Sequence, residues 1–149
     1  MARFALSVSD DFIKQLGRLA EVDRIAPQMI DEALPILEMT FKKNLASVME
    51  HPTGELMDSI KIKGAKPVKS GGFYGYVTAT GVAKNKVYKR PQSGGRTKAE
   101  PYRNYQKILA IEFGTSKQNP KPFIAKTLSE SETEVLNKMQ EVYNREAVQ

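Results

Sequence analysis

The sequence predicts an α+β fold: long N-terminal helices and a C-terminal helix packed on a small antiparallel β-sheet. Three observations carry that prediction. Apolar residues recur every three or four positions early in the chain and again at its end; a period of two replaces that pattern around residues 60–80; and 149 residues fit one domain. A globule of that length buries roughly 68–70% of the surface its unfolded chain exposes, which is enough for one core.

Ser9-Asp10 reads as a helix start, with Phe12, Ile13, Leu16 and Leu19 behind it at helical spacing, so a first short helix is expected over about 9–21, weakened by Gly17. From Asp23 a longer pattern begins, in which Ile30, Leu34, Leu37, Phe41, Leu45 and Val48 form one apolar stripe. Pro27 suits a first turn, whereas Pro35 removes an interior hydrogen bond and should kink the helix before His51-Pro52 ends it. Ile60 and Ile62 then alternate with Lys61 and Lys63, the mark of a strand with one wet, basic face. Lys66-Pro67 and Ser70-Gly71-Gly72 make a loop, and FYGYVTAT (73–80) alternates again, so the two strands should pair as a hairpin.

Residues 81–104 show no period and hold two prolines, three glycines and seven basic residues, and they read as a long basic loop. YQKILAIEF (105–113) carries Tyr105, Ile108 and Leu109 at helical spacing, although its apolar run also fits a buried strand; a short helix is preferred. From Pro122, a residue suited to a first turn, Ile124, Leu128, Val135, Met139 and Val142 share one face of an amphipathic helix running to the C-terminus.

There are no cysteines, which excludes disulfides, thiol catalysis and thiolate metal sites. No run approaches the ~20 apolar residues of a membrane span, and the apolar stretch before Asp10 is too short for a signal peptide, so the chain reads as made in, and kept in or assembled from, a cytoplasm. The net charge of +6 is unevenly spread: residues 61–107 hold twelve basic residues against Glu100 alone, a net of +11, and the remainder is −5. Such asymmetry fits an anionic partner, contact between oppositely charged neighbouring subunits, or a solvated basic loop. Lys84, Lys86, Lys89, Arg90, Arg96, Lys98 and Arg103, with Tyr88, Tyr102 and Tyr105 interleaved, are the candidate contacts to DNA or to a subunit. No nucleic-acid-binding motif frames them, so sequence-independent contact is the most they support.

IEFGTSKQNPKPF (111–123) looks half like a phosphate loop, but no glycine stands five residues before Gly114 and the match fails. Gly114 is expected instead at the positive-φ position closing a helix, with Thr115 or Ser116 bonding to turn backbone and Phe113 and Phe123 anchoring the core on either side. His51 is the only histidine and sits where it would complement a helix C-terminus rather than catalyse. Asp31, Glu32, Glu38, Glu130, Glu132, Glu134 and Glu141 read as solvated helix faces without metal-site spacing. Glu112, inside an apolar run, should be partly buried in a structural role, taking donors from the 114–116 turn or from a lysine. No catalytic residue, metal or cofactor is implied.

Taken in order, the helices, GELMDSIKIK, the Gly-rich hairpin ending in FYGYVTATG, and IEFGTSKQNPKPFIAKTLSES with its terminal helix resemble one family. It is the gene-product-ten-like family of tail components, the neck or head–tail joining proteins of long-tailed bacteriophages and prophages. The resemblance runs from about Ala33 to Val142, and its specific part is Glu112-Phe113-Gly114-Thr115, a polar spacer, and Pro122-Phe123 leading into a helix. It implies a non-enzymatic virion protein, assembled in the bacterial cytoplasm into a homo-oligomeric ring between capsid and tail, beside other head-completion and tail proteins. Non-specific contact with phage DNA in the ring lumen would suit the basic residues, and no membrane is involved. Residues 81–104 are longer and more basic than the family's usual connection. The competing reading of the residues is a small basic nucleic-acid-binding module.

Overall fold

The computed structural model describes the backbone of residues 10–89 and 98–147 and the side chains of 21–83 and 102–147. The order of elements is α1 (Asp10–Val48), α2 (Gly54–Ser59), β1 (Ile60–Pro67), β2 (Phe73–Ala79), β3 (Val82–Lys89), β4 (Lys98–Arg103), α3 (Asn104–Phe113) and α4 (Ile124–Ala147). The mixed helix-and-strand architecture expected from the sequence is the one observed.

Where two N-terminal helices were expected, α1 is a single helix of 39 residues that passes through both Pro27 and Pro35. Just past the expected break Ile25 is fully buried, and it opens a stripe that continues into Ala33, Leu34, Phe41 and Leu45. Burial of that stripe outweighs the one hydrogen bond each proline removes, and Pro35 lies on the exposed side, where a helix curving around a core is convex.

The first hairpin pairs β1 with β2 antiparallel and lies along α1. Its inner positions, Ile60, Ile62, Gly75, Val77 and Ala79, face the helix, and Gly75 fits there because a Cβ would stand 2.6 Å from the Ile30 side chain and 2.8 Å from that of Leu34. Register slips by one residue between Lys63 and Lys66, so Gly64 and Ala65 together oppose Gly75 in a bulge. Asp31 pins that bulge from α1, its Oδ1 accepting the Ala65 N–H at 2.7 Å. The short helix α2, not anticipated from the sequence, buries Leu56 just before β1.

Residues 82–89 and 98–103, expected to be loop, form a second antiparallel hairpin, β3 with β4. The sequence hides it because both members of a two-stranded ribbon are edges: they need no apolar alternation and tolerate Pro101. The ladder supplies the pairing, even though Lys89 stands opposite Lys98.

Along a second flank of α1 runs α4, antiparallel, with Asn44 facing Thr127 and Glu32 facing Lys138 and Arg145. On that register Ala147 stands beside about residue 24, and α1 continues for about 20 Å beyond it. Phe41, Leu45, Leu56, Ile60, Ala79, Ile108, Ile111 and Phe123 make the core where α1, α2, the first hairpin and α3 converge. Phe123 is 1% exposed and meets Phe41 edge to face at 5.2 Å. Phe123→Ala should therefore lower the free energy of unfolding by about 3–5 kcal/mol. Urea titrations of Phe123→Ala, Phe41→Ala and the double variant check it, with the double variant expected to fall short of the sum of the two.

Candidate functional site

IEFGTSKQNPKPF is the joint between α3 and α4. Helix α3 closes at Gly114, whose φ of 76° and ψ of −179° belong to glycine alone and whose Cβ would meet the Gln118 carbonyl oxygen at 2.7 Å. Thr115 and Gln118 then exchange two backbone hydrogen bonds across a tight turn, the Thr115 hydroxyl accepts the Lys117 N–H at 3.3 Å, and the Lys121 N–H returns to the Ile111 carbonyl at 2.7 Å. Glu112 is half-buried as expected, but its donors are different: Oε2 accepts the N–H groups of Phe123 at 2.9 Å and Ile124 at 3.2 Å. A carboxylate outside α4 thus caps its N-terminus, where unpaired amides and the helix dipole favour negative charge. Phe123 is the core anchor expected; Phe113 is not, at 72% exposed. Pro122 stands just before the helix rather than within it.

The face that α4 turns to α1 is polar at its centre. The expected stripe holds at Val142, which is fully buried, and in part at Ile124, Val135 and Met139, but Leu128 is 56% exposed and the other buried positions are Thr127 and Ser131. Thr127 and Ser131 can be buried because each hydroxyl bonds back to its own helix, to the carbonyls of Phe123 and Thr127, both at 2.9 Å. Asn44 Nδ2 crosses the seam to Thr127 Oγ1 at 3.2 Å and Glu130 Oε2 at 3.1 Å. Glu32 takes a two-pronged contact from Arg145 and a further one from Lys138. Two carboxylates read as solvated therefore tie the helices together. The hydrogen bond from Arg145 holds Glu32 below the usual carboxylate range, and the hydrogen bond from Asn44 does the same for Glu130.

Rotating α4 this way leaves an apolar groove open along α1, between β2 and α4. Leu37, Leu128 and Val135 line a cleft of about 490 Å³; Ile30, Leu34, Phe73 and Met139, with Leu37 and Val135 again, line one of about 290 Å³. One turn further, Phe41, Val77, Tyr105, Leu109 and Ile124 line a third of about 210 Å³. Met39 and Leu136 add exposed apolar surface on the same two helices, and Tyr105, Leu109 and Phe113 form an exposed stripe on α3.

Of the basic residues singled out, Lys84, Lys86 and Lys89 lie on β3, Lys98 and Arg103 on β4, and Arg90 and Arg96 outside the described residues. Of the interleaved tyrosines, the side chain of Tyr88 lies outside the described residues. Tyr102 is half-buried with its hydroxyl on the Gln106 carbonyl, and Tyr105 lies on α3. The exposed aromatic pair is one the sequence reading passed over: Tyr74 and Tyr76 on the outer face of β2, 6.1 Å apart with rings nearly parallel. Among the described residues no group of His, Cys, Asp and Glu could hold a metal ion, and no helix is long and apolar enough to cross a membrane.

Glu112→Ala should destabilise by about 1 kcal/mol through loss of the cap, and Gly114→Ala by about 1–3 kcal/mol through backbone strain, both read by urea unfolding. Because Glu32 and Glu130 have folded-state pKa values below their unfolded ones, their contribution is present above about pH 4.5 and is lost as pH falls through the folded values. Thermal melts from pH 7 to pH 3 should show that loss, with a shallower acid slope in Glu32→Gln. Compared with protein-family models, curated proteins and solved structures, the chain matches none.

Proposed function

We propose that the chain is a structural virion protein of a tailed phage or prophage, which assembles into a ring at the head–tail junction and works by assembly rather than catalysis. The observation that carries this reading is the apolar groove along α1, with Leu128 and Leu136 more than half exposed beside it. Apolar surface of that kind marks a site covered by another protein. A second copy is the occupant that this chain can itself supply. Past the end of α4, α1 continues through a stretch in which the sequence places Phe12, Ile13, Leu16 and Leu19 at helical spacing. A helix of one subunit entering the groove of the next makes a head-to-tail contact, and such contacts close into rings when the rotation permits. The resemblance over 33–142 supplies the place of the ring, between capsid and tail, and its neighbours, the other head-completion and tail proteins. The opposite charges of the middle and the ends offer a second, screenable attraction between subunits.

Light scattering after size exclusion, with negative-stain imaging, should find a ring of several copies. Leu128→Glu with Leu136→Glu should shift the mass to monomer while leaving the circular dichroism melt unchanged. A wild-type chain that stays monomeric at high concentration overturns the reading. Assembly that weakens with added salt assigns weight to the charged contacts, and salt-independent assembly assigns it to the groove.

A further inference from the structure

We infer that the outer face of the first hairpin is a nucleic-acid-binding surface, with Lys61, Lys63 and Lys66 contacting the phosphate backbone and Tyr74 and Tyr76 offering ring faces to bases.

The register places these side chains together. In an antiparallel pair, opposite residues point to the same side, and the pairs here are Lys61 with Thr78, Lys63 with Tyr76, and Lys66 with Tyr74. All three lysines are exposed, and Tyr74 and Tyr76 are 47% and 41% exposed. Residues 60–80 contain no Asp or Glu, and among the described residues no carboxylate pairs with these lysines. Three unpaired cations beside two parallel aromatic rings match a polyanion with flat bases better than an acidic protein, which has no use for the rings.

The bulge completes the surface. With strict alternation, Lys61 and Lys63 would be followed on the outer face by residue 65, and Lys66 would turn inward towards α1. The extra residue at Gly64–Ala65 reverses that parity and returns Lys66 to the outer face. Asp31 enforces it from the opposite side of the hairpin, accepting the Ala65 N–H, and Gly64 allows the approach because a Cβ there would stand 2.8 Å from Asp31 Oδ1. Asp31 is therefore a positioning residue for Lys66, although its charge repels phosphate.

This inference stands with or without the ring, because it is read on the whole 149-residue chain at concentrations below assembly. Fluorescence anisotropy with a random-sequence DNA duplex and a single-stranded oligonucleotide of the same length, over a range of salt, tests it. Changing Lys61, Lys63 and Lys66 to Ser should lower the duplex salt slope by about 2.7 and weaken binding on the order of 10²-fold. The same change at Lys43, Lys117 and Lys126 should do much less. Tyr74→Ala with Tyr76→Ala should weaken single-strand binding about 10-fold or more and leave the duplex nearly untouched. Asp31→Ala removes one negative charge yet should weaken binding and lower the slope by about 0.9, as Lys66 leaves the face. Equal losses from both lysine triples, tighter binding by Asp31→Ala, or equally tight binding of poly-glutamate that ignores the tyrosines would each overturn it. Circular dichroism melts matched to wild type confirm that every variant tested is folded.

Discussion

Helix α1 has to bury two flanks at once, one against the first hairpin and one against α4, and both contacts depend on where small or polar groups fall. The hairpin approaches closely enough to pack only because Gly75 leaves room for Ile30 and Leu34. Further along, Asn44, 1% exposed, would carry an unsatisfied amide unless α4 brought hydroxyl and carboxylate oxygens to it. Thr127 and Glu130 do so, which fixes both the rotation and the register of α4. Prolines are tolerated in such a helix because the packing on its two sides, rather than its own hydrogen bonds, holds it.

That rotation has a consequence for the surface. A helix that sends Thr127 and Ser131 inward must turn Leu128 outward, since adjacent positions are separated by about 100° around the axis. Apolar area is thereby moved from the interior to the groove. The joint before α4 holds this arrangement: Phe123 anchors in the core, and Glu112 fixes the first amides of the helix to α3. The stretch from Ile111 to Phe123 is thus the part that sets the direction of α4, and through α4 the shape of the groove.

Local rules were legible in the sequence where one interaction decided the outcome. The first hairpin, the helix over 105–113 and the positive φ of Gly114 follow from alternation, spacing and a lone glycine. What failed needed a partner distant in sequence. Phe113 was expected inside because it is aromatic and borders a helix end, but the side of α3 that meets the core carries Ile108 and Ile111, leaving Phe113 outside. Leu128 was placed inward by a stripe that ignored the pull of Asn44, 84 residues before it. The donors to Glu112 were sought nearby and came from the next helix. The second hairpin was missed because the strands of a two-stranded ribbon need no apolar alternation to pair. Of the candidate surfaces, the charge was plain, yet the tyrosines that stand with it were not those nearest the densest run of lysines.

The groove and the basic face share strand β2, and the period of two keeps them apart. Phe73 and Val77 look towards α1 and line the clefts, whereas Tyr76 and the lysines opposite it look away, with Tyr74 at the rim. A subunit seated in the groove would press on one side of the hairpin and leave the lysines of the other side in solvent. The bulge tightens this division, since without it Lys66 would point into the apolar side and place a cation against Ile30 and Leu34. Asp31 thus serves both surfaces with one hydrogen bond: it keeps a charge out of the apolar side and adds that charge to the basic face. Assembly and polyanion binding are consequently compatible in one molecule, because the alternation that builds the hairpin keeps the three lysines and Tyr76 out of the groove and leaves only Tyr74 touching both surfaces.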